Sequence, residues 1–268
     1  MSPDNDPRYS QIIARIFEAK FRTGRKVLRF ERTEIISTAE ELGIELPKNL
    51  GDVVYSFKYR NQLPDAIREK APADKEWVIV SKGRSQYAFE LKGSARILPD
   101  PMLVVTKIPD ATPGLVAKYS LDDEQALLTK LRYNRMLDIF TGVTCYSLQN
   151  HLRTTVPGIG QTETDEIYVG VDKKGIHYVF PVQAKGGKDE LGVAQIEQDI
   201  ALCKHKFPTL VCRAIAAQFL QEDVIVLFEL GLEDDEVRKI SERHYTLVTQ
   251  EYLTDEELIN YRMRPDNP

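Results

Sequence analysis

Apolar positions recur every three to four residues at the front of the chain and every second residue towards the back. In "RYSQIIARIFEAKF" (8–21) the apolar residues fall at 12, 13, 16, 17 and 21, the spacing of one helix face. "RTEIISTAEELGIELP" (32–47) repeats the pattern with Ile35, Ile36, Ala39 and Leu42 and is expected to stop at Gly43. "NLGDVVYSFKYRN" (49–61) predicts a third helix through Leu50, Val53, Val54 and Phe57. "EWVIVSKGRSQYAFEL" (76–91) reads as two strands around a tight turn at "SKGRS". "ILPDPMLVVTKIPDATPG" (97–114) holds four prolines and is the candidate linker, although "MLVVTKI" inside it has the composition of a strand.

Beyond the linker, "SLDDEQALLTKLRYNRMLDIF" (120–140) predicts one long helix, with Ser120 and Asp123 spaced as a capping box. "TCYSLQNHLRTTV" (144–156) is ambiguous between helix and strand. "ETDEIYVGVD", "IHYVFPVQAK", "TLVCRAIAAQF" and "DVIVLFEL" read as strands, and "DELGVAQIEQDIALCKHKF" as a helix between the second and third of them. The tail "TDEELINYRMRPDNP" predicts a short capped helix and a frayed end. Strands interrupted by helices imply an α/β domain with a mixed sheet. The expected division is residues 1–98 and residues 115–268.

The front half, with helices followed by a hairpin, has the element order of a winged helix. In that arrangement the third helix enters the major groove and the hairpin touches the backbone. Lys48 and Asn49 would then open the reading helix, Lys58 and Arg60 would lie further along it, and Lys82 and Arg84 would stand at the hairpin tip for phosphate contacts. The net charge of -5 argues against a polyanion partner for the chain as a whole. Its distribution changes that picture. Residues 1–110 carry 19 Lys and Arg against 16 Asp and Glu, whereas residues 111–268 carry 17 against 25. A mildly basic front and an acidic back fit a nucleic-acid reader joined to an acidic site, or an uneven solvated surface. No run of roughly 18 apolar residues predicts a membrane span. No basic segment followed by an apolar one predicts a leader. Three widely spaced cysteines, Cys145, Cys203 and Cys212, fit free thiols in a cytoplasmic protein.

The chemistry concentrates in "GQTETDEIYVGVDKKGIHYVFPVQAKGG" (160–187), two strands joined near "DKKG". Residues two apart on a strand share a face, so Glu163 and Asp165 face one way, as do Gln183 and Lys185, with Ala184 turned to the core. Pairing the strands sets Asp165 beside Gln183 and Lys185. A carboxylate and an amide oxygen are hard ligands suited to Mg²⁺, with Mn²⁺ as a substitute. A lysine two residues on can contact an attacking water or a phosphate oxygen. Gly186 and Gly187 would let a phosphate backbone approach. No His pair has metal spacing, and "GGKDELG" lacks the form of a phosphate-binding loop.

Asp165, followed 18 residues later by Gln183-Ala184-Lys185, resembles the PD-(D/E)XK nuclease superfamily, in the Gln-x-Lys variant of Mrr-like restriction endonucleases. Gln183 stands where the superfamily pattern has an acid. The resemblance covers roughly residues 120–230. It implies a restriction-endonuclease-like mixed sheet flanked by helices and a Mg²⁺-dependent DNA endonuclease. Asp165, Gln183 and Glu163 or Glu124 would hold the metal, Lys185 would activate water, and Gln195 on the following helix would reach the site, with Glu197 and Gln198 as its neighbours. The implied partners are double-stranded DNA, a second copy of the chain in a homodimer, and a methyltransferase encoded nearby. A repair or junction-resolving nuclease of the same fold and a non-catalytic DNA-binding regulator are the alternatives. Arg135, Arg153 and His151 are further candidates for contact with DNA.

Overall fold

The structure, a computed structural model, describes residues 7–59, 61–73, 75–93, 96–121, 124–186, 189, 191–220, 223–234 and 236–264. It is a mixed α/β fold in two compact units that interleave along the chain. The first gathers residues 1–97, 153–162 and 192–202, the second residues 98–152, 163–191 and 203–268. Among the described residues no helix is long and apolar enough to cross a membrane.

In the first unit α1 (Pro7–Lys20), α2 (Arg32–Leu42) and α3 (Gly51–Tyr59) form where the periodicity predicts them. Gly43 ends α2 with φ +64°, a left-handed conformation that glycine adopts without a Cβ clash. β1 (Val27–Glu31) is a strand that the sequence reading passed over. Only Leu28 and Phe30 point inward, so its apolar signal is short. It forms by pairing antiparallel with β3 (Gln86–Lys92), which also pairs with β2 (Glu76–Ser81) across the predicted hairpin. The sheet order is β1-β3-β2. A short helix, α4 (Asp65–Arg68), precedes the hairpin, and β4 (Arg96–Ile97) follows it. Ile12, Ile13, Ile16, Phe17, Ile35, Val53, Val54, Trp77, Ile79 and Phe89 close one core. Within it Phe17 meets Trp77 edge-on at 5.1 Å and Phe30 stacks on Phe89 at 4.8 Å, the two favoured aromatic geometries.

Most elements of the second unit serve one sheet. β5 (Val105–Pro109) lies inside the candidate linker, and α5 (Gly114–Tyr119) follows it. The predicted helix over 120–140 is two helices, α6 (Glu124–Tyr133) and α7 (Met136–Thr141). The break is at Arg135, φ +50°. Its cause is Asn134, a buried side chain that accepts the Ala111 N–H at 2.6 Å and donates to Thr112 Oγ1 at 2.9 Å. The amide is recruited to anchor the incoming segment. Asp123 of the expected capping box lies outside the described residues, and the Ser120 hydroxyl donates back to the Val116 carbonyl. The ambiguous segment 144–156 is a strand, β6 (Thr144–Val156).

β7 (Gly160–Val171), β8 (His177–Lys185), β9 (Leu191–Gly192), α8 (Val193–Lys206), β10 (Val211–Cys212), β11 (Ala214–Phe219), β12 (Val224–Glu233), β13 (Glu236–Val248) and α9 (Asp255–Arg262) complete the chain. The main sheet has eight strands in the order β5-β13-β12-β11-β8-β7-β6, with β10 beside β8. β8 runs parallel to β11 and antiparallel to β7, which makes the sheet mixed. Helices flank it. Leu127, Leu128, Leu131, Met136 and Leu137 of α6 and α7 pack against Phe180, Val182, Ala184, Ile215 and Ala217. β13 was not predicted. Its buried Glu242 and His244 hydrogen-bond each other at 2.7 Å, and polar inward positions erase the alternation that marks a half-buried strand. All three cysteines are free.

The β6–β7 approach depends on Gly170, where an added Cβ would lie 2.8 Å from Val143 Cγ1 and 3.0 Å from both Phe180 Cε2 and the Thr144 carbonyl oxygen. Gly170→Ala is expected to destabilise by about 1–3 kcal/mol through this overpacking. Urea unfolding would show it as a lowered midpoint at unchanged slope, and an unshifted midpoint would refute it.

Candidate active site

The β7–β8 ladder runs from Val171↔His177 to Glu166↔Val182. Continued by one step, the register sets Asp165 opposite Gln183. There a side chain takes over from the backbone, because Asp165 Oδ2 accepts the Ala184 N–H at 2.9 Å. Thr164 Oγ1 donates to the Val182 carbonyl at 3.4 Å on the other face. The end of the ladder is therefore held by the side chains of Thr164 and Asp165.

Burial is the largest influence on the Asp165 carboxyl and raises its pKa above the ordinary range. The Ala184 N–H and the Lys185 ammonium pull it back, Glu124 pushes it up, and His151 lowers it. Lys185 ends β8 with its side chain largely covered, and its Nζ lies 3.3 Å from Glu124 Oε1. Glu124 is the first residue of α6, where the helix dipole favours a carboxylate. Glu163 reaches His151 instead, with Oε1 3.3 Å from Nδ1, and His151 Nε2 lies 3.3 Å from Gln125 Nε2. Asp165, Gln183, Lys185, Glu124 and Glu163 thus share the second unit.

Gln183 is 2 % exposed, and its Oε1 is buried without a hydrogen-bond partner among the described residues. An unsatisfied buried carbonyl oxygen costs about 1–3 kcal/mol, so it marks a place where a donor or cation is wanted. Among the described residues no group of three or more His, Cys, Asp or Glu is placed to hold a metal. The donor set here is of another kind: two carboxylates, Asp165 and Glu124, with an amide oxygen between strands. Mg²⁺ is commonly held by one or two carboxylates while it keeps several waters, and this set fits that requirement. Gly186 follows Lys185, whereas Gly187 lies outside the described residues.

Gln195, Glu197 and Gln198 of α8 belong to the first unit. Gln195 Oε1 is also buried without a hydrogen-bond partner among the described residues. Glu197 accepts from Lys92 Nζ at 2.8 Å. One residue of the second unit escaped the sequence reading. Gln218 on β11 lies across from Lys185 in the parallel β8–β11 register, on the same face. A glutamine closing the apolar run "AIAAQF" is the same anomaly as Gln183 in "VFPVQAK" and could have revealed it.

Lys48, Asn49, Lys58, Lys82 and Arg84, five of the six residues expected to touch DNA, are in the first unit. Lys48 is exposed. Asn49 caps α3, donating to Asp52 Oδ1 at 2.6 Å and accepting the Gly51 N–H at 3.2 Å. Lys58 turns inward, with Nζ 2.8 Å from Ser81 Oγ. Lys82 pairs with Glu90 at 2.5 Å, and the carbonyl of the neighbouring Gly83 abuts Gly160. Arg84 is exposed at the turn. Arg60 lies outside the described residues.

Comparison with protein-family models, with curated proteins and with solved structures finds no match to this chain.

Burial lowers the Lys58 pKa from 10.5 to about 8. Between those values the unfolded chain binds a proton that the folded one releases, so stability rises with pH across this window and the penalty is full below it. Lys58→Met is therefore expected to stabilise by about 1–3 kcal/mol at pH 7, with the gain shrinking by pH 10. Urea titrations of both proteins at the two pH values check this. A gain that grows with pH would contradict the burial argument.

Proposed function

We propose that the chain is a Mg²⁺-dependent DNA endonuclease that hydrolyses phosphodiester bonds and serves in restriction. The observation that carries this reading is the placement of Asp165 on the Ala184 N–H and of Lys185 on Glu124, on either side of Gln183 in β8, whose side-chain oxygen is buried without a hydrogen-bond partner among the described residues. This is the Asp…Gln-x-Lys pattern of the PD-(D/E)XK resemblance brought to one end of a mixed sheet. Asp165, Gln183 and Glu124 would hold the metal, which when bound supplies Lewis-acid stabilisation of charge developing on the phosphate.

The chain's own groups do the rest. Asp165 and Glu124 provide the negative charge that Gln183 lacks. Gln183 contributes an oriented dipole at no cost in like-charge repulsion. Lys185, positioned by Glu124, presents its ammonium to the attacking water or a phosphate oxygen, where charge accumulates in the transition state. Glu163 and His151 stand beside the cluster and are suited to a phosphate or water contact.

The first unit supports a DNA-reading role as a winged-helix-like domain. Its order α1-β1-α2-α3-α4-β2-β3, with α4 a single short turn, and its sheet order β1-β3-β2 are consistent with that arrangement. The engagements of Asn49, Lys58 and Lys82 leave Lys48 and Arg84 as its exposed candidates for phosphate contact. Cleavage of both strands calls for two such sites, hence a homodimer. A methyltransferase acting on the same sequence would protect the host.

The test is incubation with methylated and unmethylated plasmid, with Mg²⁺ or chelator, beside Lys185→Ala. Discrete fragments that require Mg²⁺ are expected, with a loss of at least ~10²-fold in the variant at unchanged DNA binding. Cleavage of branched DNA alone would move the assignment to a junction-resolving nuclease. Binding without cleavage of any DNA would replace it with a non-catalytic regulator.

A further inference from the structure

The face of β8 that carries Gln183 and Lys185 continues onto β11 as Ala216 and Gln218, which lie across from them in register. The opposite face confirms the phase, because Ala184 and Ala217 both pack into the α6–α7 core. Ala216 is small, so the strand beside Gln183 does not crowd its amide. Gln218 is 7 % exposed. Its Nε2 donates to the Asp189 carbonyl at 2.9 Å, which fixes the orientation of the amide and turns Oε1 away from that carbonyl. Like Gln183 Oε1, Gln218 Oε1 is buried with no hydrogen-bond partner among the described residues.

Two unsatisfied carbonyl oxygens on one face of adjacent strands, diagonal to each other, are within reach of a common ligand for side chains of this length. Each alone is unfavourable, and together they concentrate negative dipole on the face that the continued β7–β8 register gives to Asp165. Only a donor-rich or cationic occupant relieves both. Lys185, the nearest cation by register, is directed to Glu124.

We propose that Gln218 is a further oxygen donor of the cation site, its Oε1 joining Gln183 Oε1 to form the neutral part of a ligand set whose charged part is Asp165 and Glu124. The class of ligand is a hard divalent cation, Mg²⁺ or Mn²⁺, which takes amide and carboxylate oxygens alike. The inference rests on the reading of this site as a metal-dependent one. It adds that the Asp189 carbonyl is tied to the cation through the two ends of one amide.

Mn²⁺ binding to the full chain, followed by electron paramagnetic resonance without DNA, tests this. Wild type, Gln218→Leu, Gln218→Glu and Asp165→Asn would be compared, with folding verified by circular dichroism. Gln218→Leu is expected to weaken binding about tenfold, and Gln218→Glu to bind at least as tightly as wild type, since it retains an oxygen and adds charge. A role confined to holding the Asp189 carbonyl would weaken both variants alike, because neither keeps that bond, and that outcome overturns the proposal. Unchanged binding in Gln218→Leu beside lost binding in Asp165→Asn overturns the role of Gln218 and leaves the metal-dependent reading intact. No Mn²⁺ binding by wild type overturns both.

Discussion

The hydrogen bond from the Ala184 N–H to Asp165 Oδ2 is the constraint on which the candidate site depends. At that point the β7–β8 ladder gives way, and a carboxylate replaces a backbone carbonyl as acceptor. The substitution does two things at once. It keeps a buried N–H satisfied, and it holds the carboxylate beside the strand that carries Gln183 and Lys185. Burial makes that carboxylate reluctant to ionise, and the N–H and the lysine ammonium oppose it.

Several buried polar groups elsewhere in the second unit are held by partners. Arg213 holds Glu229 through two bonds of 2.7 Å. Glu166 is held by Arg132 and Ser147. Glu242 takes His244, Lys239 and the Asp100 N–H. These sets fasten helices and segments to the sheet. The face carrying Gln183 and Gln218 has two buried amide oxygens without a hydrogen-bond partner among the described residues, and Glu166 Oε2 and the Tyr168 hydroxyl are open on the other face.

The cations of the first unit follow the same logic in reverse. A lysine on a basic surface and a lysine tied to a neighbour are indistinguishable in sequence. Lys58 follows three apolar residues of α3 closely enough to be swept against β2, and Lys82 has Glu90 across the hairpin. Both serve the packing of the sheet, while Lys48 and Arg84 stay in solvent.

Local periodicity made much of the fold legible. α1, α2, α3, the β2–β3 hairpin, β7, β8 and the capped α9 follow from apolar spacing and turn residues, since each buries one face whatever its partner. The positions of Asp165, Gln183 and Lys185 on strand faces were equally readable, because alternation along a strand is a local property. Tertiary structure decided what depends on residues distant in sequence. β1 forms only against β3, β13 buries Glu242 and His244 within the sheet, and Asn134 breaks a predicted helix to hold Ala111. Glu163 turns to His151 while Glu124 takes Lys185, and Gln218 arrives beside Lys185 through a parallel register 33 residues away. The pattern of one strand specifies which way a side chain points. Only the pairing of strands specifies what it meets there.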